Sequence, residues 1–331
     1  MSSWQSAGCS VKRAPVDDPE EVDLDELLAV SVFGADGGAD RSPRLPVSSI
    51  SGYEGRTHVV ILGSGTPAAD PHRAGPGVAV VVNGHSYLVD CGAGVVRRAA
   101  EARSLGVEAL DAKRLQRVFL SHLHSDHTVG LPDLWLSPWV LGRRKPLEVY
   151  GPPGTFEMMQ HLRKAYRKDV LIRRSGPNPA NPHGHRVVAT DIYPGIVYED
   201  RNIRIKAFPV RHGRWRHAYG YRFETEDRVV VVSGDTAPTQ TIVENCRGCD
   251  VLVHEVYSGL GIQNLNPSQR KYHRASHTSG FELGEIAARA EPGLLVLYHQ
   301  LLWGVHESNL LAEIAVHYTG PVVSARDLDI F

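Results

Sequence analysis

The chain has 331 residues, 36 basic against 37 acidic side chains, a formal net charge of −1 and 42% hydrophobic residues. That length fits one large layered domain or two ordinary ones, and the even charge gives no broad electrostatic footprint for nucleic acid. No apolar run reaches the ~20 residues that span a bilayer, and the four cysteines make no disulfide framework in a chain this long.

Asp17 to Glu26 carries seven carboxylates and no cation. Such a run is solvated and poorly ordered. Glu26 to Val32 fits a helical turn or two, and Gly34 to Pro46 is Gly-, Asp- and Pro-rich and reads as a linker. Residues 1–50 are therefore set apart as a poorly ordered acidic segment and linker, and residues 51–331 as the folded domain. Ala7-Gly8-Cys9 has the form of a bacterial lipoprotein signal end, but Met1 to Ser6 supplies neither a basic nor an apolar segment before it. The expected location is cytoplasmic. A lipoprotein or periplasmic location is the alternative if the true start lies upstream of Met1.

From Thr57 onward, strands and helices come in two sets. His58 to Leu62, Val78 to Val82, Ser86 to Val89 and Val118 to Leu120 read as a first sheet. Gly92 to Leu105 has Ala- and Arg-rich helical character. Leu147 to Tyr150 is a strand, and Thr155 to Arg167 a helix with Thr155 as its N-cap. Ile203 to Val210, Tyr219 to Glu224 and Arg228 to Val232 form a second set of strands, followed by a helix at Phe281 to Ala290 and a strand at Leu294 to Tyr298. This pattern predicts an α/β sandwich and does not by itself separate it from a doubly wound sheet.

The chemistry concentrates in His122-Leu123-His124-Ser125-Asp126-His127, behind the apolar strand Arg117 to Ser121. His122 and His124 lie two apart and can point to one side to grip a metal, while Asp126 and His127 fall in a loop beyond. Imidazole nitrogens and a carboxylate suit zinc with one position open to water. Trp135 and Trp139 sit four apart on a predicted helix, and Arg211, Arg214, Trp215, Arg216 and His217 cluster farther on. Such aromatics and arginines suit a pocket for a planar anion; core packing is the other reading of the two tryptophans. Cys246-Arg247-Gly248-Cys249 has a redox-like spacing, but reads as two free thiols in a turn.

The His122–His127 string resembles the metal motif of the metallo-β-lactamase superfamily. Further segments resemble the branch that holds RNase Z, its relatives and a type of arylsulfatase. These are Ile61 to Pro67, Tyr87 to Gly92, Arg211-His212-Gly213, Ser233-Gly234-Asp235-Thr236, His254-Glu255, Ser276 to Ser279 and Leu297-Tyr298-His299, in the family's order across residues 57 to 325. The resemblance implies a four-layer αββα sandwich and two Zn2+ per chain. One zinc would take His122, His124 and His212; the other Asp126, His127 and His299; Asp235 would bridge them. It also implies a metal-bound hydroxide as nucleophile, Asp126 as a catalytic as well as a metal residue, and His277 with Glu255 as the proton-transfer pair. His254 would pack or steady a ligand.

The expected function is a dinuclear zinc hydrolase of small ester-like substrates, with aryl sulfates or phosphodiesters as candidates. One alternative is a tRNA 3′-processing endoribonuclease of the RNase Z kind. Against it, only two strands and the turn Glu224 to Arg228 lie between His212 and Asp235, where many RNase Z enzymes insert a long tRNA-clamping arm. The basic residues Arg163 to Arg174 are a substitute grip or a solvated helix. Nucleic acid is thus an unlikely partner on this reading, a membrane is none, and a homodimer is one assembly open to the chain. A redox or metal-dead binding member is the remaining alternative; the complete set of candidate ligands and the lack of a flavodoxin-like domain speak against it.

Overall fold

The computed structural model describes residues 57–331. The acidic segment, the linker, Cys9 and the boundary at residue 50 lie outside them. Strands β1 (His58–Gly63), β2 (Gly77–Val82), β3 (His85–Val89), β4 (Arg117–Phe119), β5 (Leu147–Gly151) and β6 (Val187–Asp191) form one sheet in that order. Strands β7 (Gly195–Glu199), β8 (Arg204–Pro209), β9 (Tyr219–Glu224), β10 (Val229–Val232), β11 (Val251–Tyr257), β12 (Leu294–Leu301) and β13 (Val322–Ser324) form the other, also in sequential order. In each sheet one half is antiparallel (β1–β3, β7–β10) and the other parallel (β3–β6, β10–β13).

Period-two alternation sorts the side chains into layers. Val59, Ile61, Val80 and Phe119 of the first sheet share an apolar cluster with Tyr221, Phe223, Val232 and Val253 of the second. Val60, Leu62, Leu88 and Val118 turn the other way. They pack with helices α1 (Val95–Ser104), α3 (Leu131–Val140) and α4 (Thr155–Ala165). Val231, Leu252 and Leu295 pack with α6 (Gln240–Cys246), α8 (Gly280–Ala290) and α9 (Glu307–Ala315). The layers run helix, sheet, sheet, helix, so the αββα sandwich stands and the doubly wound sheet falls. Among the described residues the remaining α-helices are α2 (Ser125–Thr128), α5 (Arg167–Ser175) and α7 (Pro267–Ser276). No helix among the described residues is long and apolar enough to cross a membrane.

Several sequence expectations need correction. The predicted helix Thr155 to Arg167 is two helices, α4 and α5, and α5 buries no residue. Gly154, at φ 104°, is the N-cap of α4; the Thr155 hydroxyl instead donates to the Pro152 carbonyl (2.7 Å). Cys246 and Cys249 are joined as a disulfide rather than free. The turn after α6 brings their Cα atoms to 4.8 Å, within bridging range. Trp135 and Trp139 are core residues, not pocket walls. Both are buried, and their indole N–H groups donate to the His185 and Asn181 carbonyls (2.8 Å each).

Candidate metal centre

The candidate residues gather at one rim of the sandwich, where β4, β8 and β10 end and where β11 and β12 pass. Three devices bring them there. The chain leaves β4 at Phe119 and turns into α2, so Asp126 and His127 stand on a short helix rather than in a loop, with His124 at its N-cap. Gly234 holds φ 61°, and an added Cβ there would meet Ser121 Cβ at 2.7 Å; only glycine lets the Asp235 turn sit against the His122 strand end. On β12, Glu255 pairs with Tyr298 and Val256 with Gln300, which leaves His299 as an extra residue at φ 47°. Such a bulge re-aims a side chain. It costs about 1–3 kcal/mol for a non-glycine residue, and the His299 N–H is fixed by the Ser64 carbonyl (3.1 Å).

Two groups of candidate ligands result, and all seven residues expected in them are present. His122, His124, His212 and Asp235 form one; Asp126, His127 and His299 form the other. A third grouping joins Asp235, His277 and His299. In the first group His124 Nδ1 lies 2.9 Å from His122 Nε2 and 3.1 Å from His212 Nε2. Ring nitrogens around one tetrahedral zinc stand about 3.3 Å apart. In the second, Asp126 Oδ2 lies 3.3 Å from His127 Nε2 and 3.4 Å from His299 Nε2. Asp235 Oδ2 reaches both groups, at 3.9 Å from His122 and His212, 3.4 Å from His127 and 3.6 Å from His299.

The outward-facing nitrogens of His122, His127 and His212 are committed. His212 Nδ1–H donates to the Ser276 carbonyl (2.7 Å) and His127 Nδ1–H to Asp90 Oδ2 (2.8 Å). The Ser121 hydroxyl donates to the same Asp90 oxygen (2.8 Å), so His122 Nδ1–H must donate to Ser121 Oγ (3.0 Å). Each of these rings therefore turns its Nε2 inward, unprotonated in the neutral rings of His122 and His212. His127 Nε2 and Asp235 Oδ1 are buried and make no hydrogen bond among the described residues. Buried ring nitrogens and carboxylate oxygens crowded together with unmet hydrogen-bonding capacity are costly, and divalent cations satisfy that donor set. Burial pulls His122 well below the ordinary imidazole range and brings His124 and His212 down to about 4, so these rings stay neutral. Burial also acts to lower His127, but Asp235, Asp90 and Asp126 outweigh it and raise it well above.

His277 and Glu255 meet beside this centre. His277 Nδ1 lies 3.2 Å from Glu255 Oε2 and 4.0 Å from Asp235 Oδ2. Glu255 Oε1 accepts the N–H groups of Thr278 (2.9 Å) and Thr236 (3.3 Å), which anchor the carboxyl between two loops. Burial, then the Asp235 charge, raises the Glu255 carboxyl well above its usual range, and burial lowers His277 to about 4. His277 closes α7 as its C-cap; the helix-entry cap of α8 is Ser279. His254 packs as expected, buried with Nδ1 against the Glu255 carbonyl (2.5 Å).

Comparison with known proteins fixes the family. Residues 85–300 match the Beta-lactamase superfamily domain. Ribonuclease Z of Mycobacterium marinum (strain ATCC BAA-535 / M) is 34% identical over 281 residues, covering 82% of this chain and 96% of that protein. The chain belongs to the metallo-β-lactamase superfamily, in its RNase Z branch. It is a hydrolase of that fold. The metallo-beta-lactamase fold protein YhfI from Bacillus subtilis superposes with a TM-score of 0.64 at 21% identity, over 83% of this chain and 99% of that one. The short form of human tRNase Z superposes with a TM-score of 0.61 at 21% identity, over 83% and 98%.

Two residues around this metallo-β-lactamase centre escaped sequence reasoning. Asp90 was part of a strand-end segment with no assigned role, yet it orients both His127 and Ser121. Its signal was a lone carboxylate closing an apolar strand. Trp215 was grouped with a pocket wall; its indole N–H in fact donates to His124 Nε2 (2.7 Å), and its ring stands edge-on to His124 at 5.0 Å.

Proposed function

We propose that this chain is a dinuclear zinc phosphodiester hydrolase. The observation that carries the reading is the pair of convergent ligand groups sharing Asp235, with the Glu255–His277 pair at their edge. His122, His124 and His212 would hold one ion, Asp126, His127 and His299 the other, and Asp235 both. When bound, the two cations supply Lewis-acid polarisation and acidify a water at neutral pH. Asp126 and Asp235 then offer carboxylate oxygens to orient that water. His277 faces the same space, where its imidazole delivers a proton to the departing oxygen, and Glu255 fixes the tautomer and resupplies the proton through Nδ1. Phosphodiesters are preferred over aryl sulfates because the relatives named Ribonuclease Z cleave such a bond.

The test is hydrolysis of bis(p-nitrophenyl) phosphate beside p-nitrophenyl sulfate on one zinc-loaded preparation. The reading expects turnover of the phosphodiester, its loss on chelation and its return with zinc. Sulfate hydrolysis without phosphodiester hydrolysis would overturn it in favour of an arylsulfatase.

RNA 3′-processing is the second reading, favoured by the 34% identity to Ribonuclease Z. Against it, residues 210–218 alone join β8 to β9, leaving no inserted arm. Precursor tRNA cleavage at physiological salt decides between them.

A further inference from the structure

Two short segments beside the metal centre share a composition that the proposed chemistry does not use. Arg211-His212-Gly213-Arg214-Trp215-Arg216-His217 follows β8, and Arg270-Lys271-Tyr272-His273-Arg274 lies on α7. Each interleaves an aromatic ring with cations, and neither contains a carboxylate. The segments touch: the Gly213 N–H donates to the Ala275 carbonyl (3.1 Å), and a Cβ on Gly213 would meet Ser276 Oγ at 2.7 Å. Arg270, Lys271 and Arg274 line a shallow cavity of about 550 Å³ with Pro267 and Ala275. Arg211, Arg214, Arg216, Lys271 and Arg274 are exposed. None of these cations forms an ion pair among the described residues; Arg270 donates only to the Gln263 amide (3.1 Å).

The aromatic members stand at the centre's mouth. Trp215 lies 5.0 Å from the His124 ring and 6.0 Å from the His122 ring. Tyr272, half exposed, lies 6.5 Å from the His277 ring. One ring thus borders the metal side and the other the proton-transfer side, with unpaired cations continuing outward from each. In a chain whose net charge is −1, this is a local positive field beside a site for a phosphodiester.

We propose that these two segments form a grip for a single-stranded polynucleotide, with Tyr272 and Trp215 stacking the bases that flank the scissile phosphate and the α7 cations holding the next phosphates. The inference rests on the phosphodiesterase reading and names its substrate class. Stacking on aromatic faces with a cationic track for the backbone is how single strands are held without sequence preference. The grip is short and lies at the centre itself, so it reads an unpaired strand and not a folded RNA body. It also moves the expected nucleic-acid contact away from Arg163 to Arg174: Arg173 there is paired with Asp169 (2.9 Å), and the cations of this stretch stand on the exposed faces of α4 and α5.

The probe is a fluorescein-labelled oligouridylate of about twelve nucleotides. Its anisotropy is followed on metal-loaded protein in the cold across a salt series, with the strand shown intact by gel. Replacing Arg270, Lys271 and Arg274 together by Gln should weaken binding at least tenfold near ~0.1 M salt. It should also flatten the slope of log affinity against log salt by about 2, since each neutralised phosphate contributes ~0.7. Tyr272→Ala should weaken binding about tenfold with the slope kept, and Tyr272→Phe should restore it. The pair R270K/R274K should retain the wild-type slope, which separates lost charge from lost structure. An unchanged affinity and slope in the triple variant overturns the proposal, and so does binding that requires a folded tRNA. Hydrolysis of bis(p-nitrophenyl) phosphate is measured alongside. Turnover without strand binding sinks the grip alone; strand binding without turnover sinks the phosphodiesterase reading alone.

Discussion

Asp90→Asn tests whether the buried residues behind the centre set its metal affinity. Asp90 is 1% exposed and sits at φ 60°, a conformation Asn tolerates. Its carboxylate accepts three hydrogen bonds: Ser121 N–H at 2.7 Å, Ser121 Oγ–H at 2.8 Å and His127 Nδ1–H at 2.8 Å. The first goes to one oxygen and the other two to the second. An amide supplies one oxygen, so in either orientation an NH2 faces at least one of these donors. One unsatisfied buried donor costs about 1–3 kcal/mol, and loss of a partner that orients a metal-binding His costs about 10–100-fold in metal affinity. His127 is held directly and His122 only through Ser121, so the second ion, at Asp126, His127 and His299, should weaken more than the first. Asp90→Ala should be worse, because Ala at this φ adds about 1–2 kcal/mol. Competition with a chelator of known affinity, beside denaturant unfolding of the metal-free protein, gives both numbers. Wild-type affinity for both ions in Asp90→Asn would refute the reasoning, as would metal loss that merely tracks unfolding.

His277→Ala should lower turnover by about 10²-fold or more for phosphodiesters with poor leaving groups and far less for p-nitrophenyl esters; equal losses across the series reject the proton-donor role. Asp126→Ala should abolish turnover and bind one ion fewer, read by elemental analysis. Were His124 to hold a zinc ion through Nδ1, its ring proton would sit on Nε2, which could then no longer accept from Trp215. Tryptophan fluorescence should therefore change on zinc addition in the wild type and not in Trp215→Phe; identical responses exclude the rearrangement. Asp200 is held below the usual carboxylate range because the hydroxyls of Tyr87 (2.7 Å) and Tyr198 (2.9 Å) and the Asn202 N–H (2.8 Å) outweigh its desolvation. Its contribution is fully present above the unfolded value of about 3.9 and lost as pH falls through the lower folded value. Asp200→Asn should lower the melting temperature at neutral pH and flatten its dependence on pH below about 4; parallel curves would exclude the linkage.

The centre was largely legible because four of its ligands fall within the six residues His122 to His127, and His212 and Asp235 follow strand ends. Charge and side-chain type at strand ends survive in the sequence; contacts made by pairing do not. Asp90 and His127 meet only because β3 and β4 are neighbours. The His299 bulge was invisible because the apolar run Leu294 to Tyr298 stops before it, while the strand continues to Leu301. Trp135 and Trp139 share a helix face, and that periodicity is the same for a core face as for a pocket wall. Strands β6 and β7 were missed because neither has a fully buried residue and the outward positions of β6 include the apolar Val188, so side-chain type does not follow the alternation. The Cys246–Cys249 bond depends on a turn whose closeness spacing alone does not fix. Of the proposed grip, the cluster Arg211 to His217 was legible as an anion-binding composition, while the α7 cations were hidden in the net charge, which averages a local excess away.

The central claim is that two ions act together in one site. Metal-free protein titrated with zinc, with bound metal and bis(p-nitrophenyl) phosphate turnover read on the same samples, tests it most directly. The account predicts binding of about two ions per chain, with turnover rising only as the second is bound. Full turnover at one ion per chain, or none at two, would contradict it.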